Sequence, residues 1–224
     1  GGLERTLMEK VAANKPSAVS LLKVQYRMHE DIMRFSSNWF YDGELEAAPE
    51  IRHRGILDWD PPVTWIDTSD MDFKEEFVGE TFGRINKEEA HLLLKELEAY
   101  ILRIGGSRIL EERIDFGLIS PYKAQVQYLR GKIKGSATLR PYRSLITVNT
   151  VDGFQGQERD VIFISLVRAN EEGQIGFLND LRRMNVAITR ARMKLVILGE
   201  AATLGHHAFY KQLLEYVKKV NDRQ

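Results

Sequence analysis

Several common protein features are missing from this sequence of 224 residues, and each absence excludes a class of protein. There is no cysteine, which excludes a disulfide-bonded scaffold, thiolate catalysis and a zinc site with cysteine ligands. The 32 Lys and Arg residues equal the 32 Asp and Glu residues, so net charge cannot be what attracts this chain to a polyanion. No apolar run approaches the roughly 18 residues that a membrane-spanning helix needs. We therefore expect no membrane partner.

The beginning of the chain has no targeting signal. Its first ten residues, GGLERTLMEK, are charged and contain no apolar segment of the kind found in signal peptides. Two glycines without a preceding Met are typical of a piece excised from a longer protein. Together with the lack of cysteine, these features predict a cytoplasmic location.

Apolar runs that alternate with helical patterns predict an α/β protein. The candidate strands are Val19–Val24, Val63–Asp67, Phe116–Ser120, Leu145–Thr150, Val161–Val167 and Lys194–Leu198. The last four are continuous apolar runs, which are typical of strands buried on both faces of a parallel sheet. The expected fold is a doubly wound, mainly parallel sheet with helices on both faces. In such sheets ligands bind at the carboxyl ends of the strands.

Cap residues predict where the helices begin. Asn86 followed by Glu89 has the pattern of a capping box, and Asp180 is predicted to cap a later helix. Ser120-Pro121 predicts an N-cap followed by proline at the first helical position. A last helix is expected over residues 201–220.

Charge is distributed unevenly in spite of the zero net charge. Residues 116–151 contain six Lys or Arg and no acid, whereas residues 58–76 contain seven acids and one Lys. A basic face near strand ends suits a polyanion. Chance clustering on a solvated surface is the alternative, and charge alone favours it.

Two short segments carry groups that suit phosphates and bases. QYRMH places Arg27 beside Tyr26, so a guanidinium could bind a phosphate while the ring packs on a base. SPY, at residues 120–122, joins a strand to a helix N-terminus, where N–H groups and the helix dipole attract phosphate. Tyr122 adds a ring on which a base could stack. Taken alone, a structural arginine and an ordinary capped turn are the simpler interpretations.

A longer polar segment, TVNTVDGFQGQERD, connects two predicted strands. Its two glycines would let the backbone approach a ligand closely. The polar side chains in it that could contact a ligand are those of Thr150, Asp152, Gln155 and Glu158. So many in one connection are uncommon in a turn with a purely structural role, so function and structure are equally favoured here.

The segment LRRMNVAITRAR combines an apolar helix face with several arginines. Arg183 and Arg190 are seven residues apart, which predicts that they share another face of the helix. Arginines in such a cluster suit a transferring phosphoryl group. Ion pairs on a solvent-exposed helix face are the alternative.

Taken together, these segments resemble the second RecA-like domain of superfamily 1 helicases. The branch that they resemble is the up-frameshift type, which moves 5′ to 3′ on DNA or RNA. The resemblance runs from about Leu21 to Gly199 and is carried, in order, by QYRMH, SPY, TVDGFQGQERDVIFISLVR and GFLNDLRRMNVAITRAR. It implies a RecA-like fold and the C-terminal motor domain of an ATP-dependent helicase or translocase.

The resemblance also implies which residues contact the nucleotide. Arg27 is implied to contact the terminal phosphates of ATP, and Tyr26 to pack near the base. Arg190 corresponds to the arginine finger on the γ-phosphate, so Arg190 and Arg27 are the implied catalytic residues. Glu158 is implied to reach the ribose or its surroundings.

A second set of residues is implied to contact single-stranded nucleic acid. It comprises the SPY turn, Ser120-Pro121-Tyr122, and Thr150, all placed against the strand backbone. Asp152 and Gln155 are implied to couple this contact to the nucleotide site.

The sequence contains neither the phosphate loop G-x-x-x-x-G-K-[ST] nor an Asp-Glu strand for a metal ion. In the family both belong to the first RecA-like domain, so this chain is implied to supply one wall of an ATP site whose Mg ligands lie in that other domain. We expect residues 1–20 to be a connecting stub, 21–200 the second RecA-like domain, and 201–224 a helix packed on it. No metal site is expected in this chain, and the isolated chain should hydrolyse no ATP.

Two alternatives stay open at this point. The chain could be a nucleic-acid-binding module without turnover, although such a module has no need for residues that sense a γ-phosphate. It could also be a protein-interaction domain that acts through the acidic residues 58–76. DNA and RNA are both possible as the strand.

Overall fold

The computed structural model describes residues 24–79, 83–154 and 156–223. Its centre is a five-stranded sheet in which every neighbouring pair is parallel, with strand order β3-β9-β8-β6-β7. The strands of this sheet are β3 (Val63–Asp67), β6 (Phe116–Ile119), β7 (Ile146–Asn149), β8 (Arg159–Ser165) and β9 (Ala191–Gly199). Two small two-stranded sheets lie apart from it and consist of β1 (Val24–Gln25) with β2 (Glu46–Ala47), and β4 (Glu76–Val78) with β5 (Gly83–Ile85).

Helices cover both faces of the central sheet. They are α1 (Glu30–Phe40), α2 (Lys87–Ile104), α3 (Gly106–Glu112), α4 (Lys123–Gly135), α5 (Leu181–Ile188), α6 (Ala201–Leu204) and α7 (Ala208–Asn221). Side chains alternate along β8, so Ile162 and Ile164 join a core with α1, α5 and α7. Val161 and Phe163 join a second core with α2, α3 and α4. The predicted doubly wound RecA-like α/β fold is thus confirmed.

The continuous apolar runs predicted the central strands well. Val63–Asp67 is β3 as predicted, and the four later runs match β6, β7, β8 and β9 within a few residues at each end. The first predicted strand differs, because only its last residue, Val24, lies within the described residues, where it begins the two-residue strand β1. The predicted stub, residues 1–20, lies outside the described residues.

Two of the three helix starts follow their cap signals. Asp180 accepts a hydrogen bond from the Arg183 N–H, as predicted. Asn86 likewise accepts from the Glu89 N–H. The capping box is only half formed, because the Glu89 carboxylate does not return to the Asn86 N–H. That N–H instead donates to the Gln125 side chain at 3.0 Å.

Two helix predictions are wrong: one in where the helix begins, and one in predicting a single helix where there are two. Helix α4 begins at Lys123 with Tyr122 as the N-cap residue, so Pro121 is not in its first turn. Ser120 Oγ accepts the Tyr122 N–H at 3.4 Å and closes a tight turn before the helix. The predicted final helix is divided into α6 and α7, since Gly205 ends α6 and His207 caps a new start.

The loop between β7 and β8 lies across one face of the sheet. Because the two strands are parallel, the loop leaves the carboxyl edge of the sheet after Asn149 and enters the amino edge at Arg159. Phe154 in this loop is fully buried. Gly117 on β6 leaves space for it, because a Cβ there would lie 2.9 Å from the Phe154 ring and 2.6 Å from Ile162 Cδ1. The loop is therefore held against the sheet and joins its two edges.

Candidate nucleotide and nucleic-acid sites

The residues predicted to contact a nucleotide meet at the amino edge of the central sheet. Glu158 directly precedes β8 and Arg190 directly precedes β9. The Arg159 N–H donates to the Arg190 carbonyl at 2.9 Å, and the His29 N–H donates to the Arg192 carbonyl at 2.8 Å. These backbone bonds bring three distant segments of the sequence together.

This position corrects two predictions. Ligand groups were expected at the carboxyl ends of the strands, yet Glu158 and Arg190 lie at the amino ends of β8 and β9. Arg183 and Arg190 were expected on one helix face. Helix α5 ends at Ile188 and turns through Thr189, so Arg190 lies beyond the helix and Arg183 on it.

Arg190 is a buried guanidinium without its full set of partners. The residue is 8% exposed, and its Nε donates to the Val186 carbonyl at 3.2 Å. Its Nη1 has no hydrogen-bond partner among the residues that the structure describes. Burial lowers the pKa of Arg190, the charge of Arg27 lowers it further, and Glu158 opposes both effects. A buried cation with an unpaired donor is costly to the fold, and an anion with several oxygens would remove that cost.

Arg27 and Glu158 form a half-exposed ion pair beside Arg190. Arg27 Nε lies 3.6 Å from Glu158 Oε2, and Arg192 Nη2 lies 4.0 Å from the other carboxylate oxygen. Arg27 can therefore exchange this carboxylate for a phosphate by a side-chain movement. Tyr26 is 68% exposed, so its ring is available to a base.

Gln25 is a residue of this site that the sequence analysis did not identify. Its Oε1 accepts the N–H groups of Arg27 at 2.8 Å and Met28 at 2.7 Å, and its Nε2 donates to the Met28 carbonyl. The glutamine side chain thereby fixes the turn that presents Tyr26 and Arg27. The only signal for this role was its position at the start of QYRMH.

The predicted nucleic-acid residues lie at the opposite, carboxyl edge of the sheet. Ser120 follows β6 and Thr150 follows β7, next to each other in the strand order. A cavity at this edge is lined by Pro121, Thr150, Val151, Asp152, Phe177, Asp180, Arg183 and Met184. Gln155 lies outside the described residues.

Tyr122 does not offer an open ring, contrary to the prediction that a base stacks on it. The residue is buried, and its ring stacks on that of Phe177 at 5.3 Å between centroids. Its hydroxyl accepts a hydrogen bond from Arg168 Nη1 at 3.3 Å. Burial raises the pKa of Tyr122. The aromatic residue that faces solvent here is Phe177, which is 51% exposed.

The residue that directly precedes Arg168 in the chain has an unusual backbone conformation. Val167 has a φ of +70°, which a β-branched residue rarely adopts. Its N–H donates to Glu89 Oε1 at 2.8 Å, and its carbonyl accepts from Asn86 Nδ2 at 3.1 Å. Both polar groups of this peptide segment are thus held from helix α2. Strain of this kind persists only where the surroundings impose it, and it is frequent beside functional sites.

Three of the seven acidic residues in the stretch 58–76 contact other parts of the domain. Asp60 accepts from Lys194 Nζ at 3.2 Å, and Glu75 from Arg168 Nε at 2.7 Å. Asp67 accepts the Ala201 N–H at 3.0 Å. The other four, Asp58, Asp70, Asp72 and Glu76, are exposed. Separately, no helix in the described ranges is both long and apolar enough to cross a membrane.

Comparison with known proteins identifies the family to which the chain belongs. The family model AAA_12, an AAA domain, matches residues 3–202, so the chain belongs to this family. It is 33% identical over 98% of its length to a Methanocaldococcus jannaschii protein named as an uncharacterized ATP-dependent helicase. It is 36% identical over 90% of its length to the DNA polymerase alpha-associated DNA helicase A of Saccharomyces cerevisiae. It is also 36% identical over 97% of its length to the regulator of nonsense transcripts 1 homolog of Drosophila melanogaster.

Within that family the chain is the second RecA-like domain of a superfamily 1 helicase of the up-frameshift branch, which confirms the resemblance. The chain spans 32%, 31% and 18% of the lengths of these three relatives, in the order given. It therefore corresponds to a minor part of each.

Proposed function

We propose that this chain is the C-terminal motor domain of an ATP-dependent helicase or translocase. In this proposal Arg190 is the arginine finger, and the amino edge of the sheet is one wall of an ATP site shared with a first RecA-like domain. The carboxyl edge contacts the backbone of single-stranded DNA or RNA. The observation that carries the proposal is the buried Arg190, whose Nη1 has no partner within residues 24–79, 83–154 and 156–223 and which lies in the same site as Arg27.

The residues of the amino edge fit an ATP molecule. Arg27 and Arg190 would bind its terminal phosphates, since guanidinium groups match the oxygen spacing of phosphates. Tyr26 would pack on the base, and Glu158, once Arg27 has exchanged its carboxylate for a phosphate, would lie towards the ribose. ATP supplies the phosphoanhydride bond that is hydrolysed, and the Mg ligands are expected in the first domain. Arg190 would stabilise charge on the transferring phosphoryl group.

The loop from Thr150 to Glu158 supports a coupling between the two sites. It begins at the edge with the nucleic-acid residues and ends at the edge with the nucleotide residues. Phe154 fixes its middle against the sheet. A connection anchored at Phe154 would let closure of the nucleotide site move the strand-binding edge. Asp152 is held by Arg183 at 3.4 Å on the strand side.

Strand binding by this chain should weaken as salt concentration rises. If Lys123 and Arg182 each neutralise one phosphate, the slope of log K against log salt should approach about −1.4. Fluorescence anisotropy of a labelled oligonucleotide at several salt concentrations measures that slope. The same oligonucleotide in duplex form is the control. Affinity that is independent of salt would contradict contact with the phosphate backbone.

The named relatives include a DNA helicase and a regulator of transcripts, so both kinds of strand belong in the test. The strand that binds more tightly identifies the substrate class. A binding module without turnover is the second candidate, and the buried guanidinium of Arg190, whose Nη1 lacks a partner in the described part of the chain, argues against it. The cytoplasmic location stays a prediction.

A further inference from the structure

Phe177 is an exposed aromatic residue in the cavity that contains the predicted nucleic-acid residues. It lies in a 3-10 turn, Gly176–Asn179, just before helix α5. One face of its ring packs on the Tyr122 ring with an interplanar angle of 26°. Because the residue is 51% exposed, the other face is open to solvent.

The surrounding residues fix the position of this ring. Gly176 has a φ of +51°, and a Cβ there would lie 2.3 Å from Arg168 Nη1 and 3.1 Å from the Tyr122 hydroxyl. On the other side Leu178 is fully buried, and its carbonyl accepts the Tyr210 hydroxyl at 2.5 Å. The Phe177 backbone is thus held on both sides.

Tyr122 is in turn fixed beneath Phe177. Arg168 donates to the Tyr122 hydroxyl and binds Glu75 through Nε and Nη2, at 2.7 and 3.4 Å. The strained residue before Arg168, Val167, is clamped from helix α2 as described above. Two stacked rings on such a support lose little side-chain freedom when a third ring is added.

The charges in the cavity favour a base over a phosphate. Asp152 and Asp180 both contact Arg183, at 3.4 and 3.5 Å. Two carboxylates around one guanidinium leave no positive charge for a phosphate oxygen. They can instead accept hydrogen bonds from the amino groups of a base. Phosphates would then lie along the rim, towards Ser120 and Thr150.

We propose that Phe177 stacks on an unpaired nucleobase of the bound strand and extends the Tyr122–Phe177 pair by one ring. This inference rests on the proposed function and specifies how the strand is held at the carboxyl edge. Stacking tolerates any base, because every base presents a π-face. The contact therefore suits a motor that moves along any sequence.

The test compares strands with and without bases. Binding of this chain to oligothymidylate, and to an abasic strand of the same length, is measured by fluorescence anisotropy. Phe177→Ala should lower affinity for oligothymidylate by about 10-fold or more and leave affinity for the abasic strand unchanged. Phe177→Trp should keep or raise affinity for oligothymidylate. Phe177→Leu keeps an apolar contact with Tyr122 and should lose affinity as Phe177→Ala does.

Trp59→Ala is the matched control, since Trp59 is 91% exposed and lies outside the carboxyl-edge cavity. It should bind both strands as the wild type does. Equal loss on both strands in Phe177→Ala, or no loss on either, would overturn the stacking contact alone. If the wild-type chain binds neither strand, the proposed nucleic-acid function fails and the stacking contact fails with it.

Discussion

Replacing Arg190 by alanine in the full-length protein should lower strand-stimulated ATP turnover by about 10³–10⁵-fold, the range measured for arginine fingers. The guanidinium is already desolvated and positioned before ATP binds: its Nε donates to the Val186 carbonyl, and its Nη1 has no partner among the described residues. Such a group stabilises transition-state charge without reorganising at that moment. Strand affinity should be retained, because Arg190 lies at the edge opposite Ser120 and Thr150. Steady-state phosphate release and strand anisotropy measure the two effects.

Two variants control for general effects of losing this arginine. Arg190→Lys keeps the charge but not the planar fork, so turnover should stay strongly reduced. Arg223→Ala removes an exposed arginine that follows helix α7, away from both sites, and should leave turnover near that of the wild type. Turnover within a few-fold of wild type in Arg190→Ala would rule out its role as the finger.

The free energy of unfolding should show a pH dependence that originates at Glu89. Burial raises the pKa of this carboxyl to about 7 from its ordinary 4.5, although Ser165 and Val167 donate hydrogen bonds to it. The folded state therefore holds this proton more tightly than the unfolded state does. The resulting stability is fully present below about pH 4.5 and is lost as pH rises through about 7. A difference of 2.5 pH units corresponds to on the order of 3 kcal/mol.

Glu89→Gln isolates this contribution because the amide does not titrate. It keeps one oxygen for the Ser165 hydroxyl and the Val167 N–H, and it places an amide nitrogen where Glu89 Oε2 lacks a partner among the described residues. The free energy of unfolding of the variant minus that of the wild type, measured in urea, should rise by about 3 kcal/mol between pH 4.5 and 8. A pH-independent difference between the two proteins does not affect this rise. Glu88→Gln, an exposed neighbour, should show no such trend. A difference between wild type and Glu89→Gln that does not change with pH would mean that the pKa of Glu89 is not raised by folding.

The central strands were predictable because each is buried on both faces and reads as one apolar run. Phe116–Ile119 and Arg159–Ser165 are examples, although Arg159 shows that a polar residue can begin a strand at the sheet edge. The pairs β1–β2 and β4–β5 were missed because two or three residues have no periodicity to detect. The break between α6 and α7 was missed because the segment carries apolar residues on both sides of Gly205.

The sequence motifs predicted which residues would form the candidate nucleotide site, but they did not predict its position in the fold or the residues that support it. The motifs identified Arg27, Glu158 and Arg190, and the structure brings these three together. The edge of the central sheet at which these residues lie was predicted wrongly, because the direction in which a loop crosses the sheet depends on strand order. Val167 and Phe177 were missed because their roles depend on partners far away in sequence. Val167 is 78 residues from Glu89, and Phe177 is 55 from Tyr122.

The most direct test of the shared ATP site compares ATP hydrolysis by the full-length protein and by this 224-residue chain, each with and without single-stranded DNA or RNA. We expect turnover by the full-length protein that depends on a strand, and none by the chain, because Arg27 and Arg190 supply only one wall of the site. Turnover by a pure preparation of the chain would show that it holds a complete ATP site. Absence of turnover by the full-length protein with every strand would contradict the motor function itself.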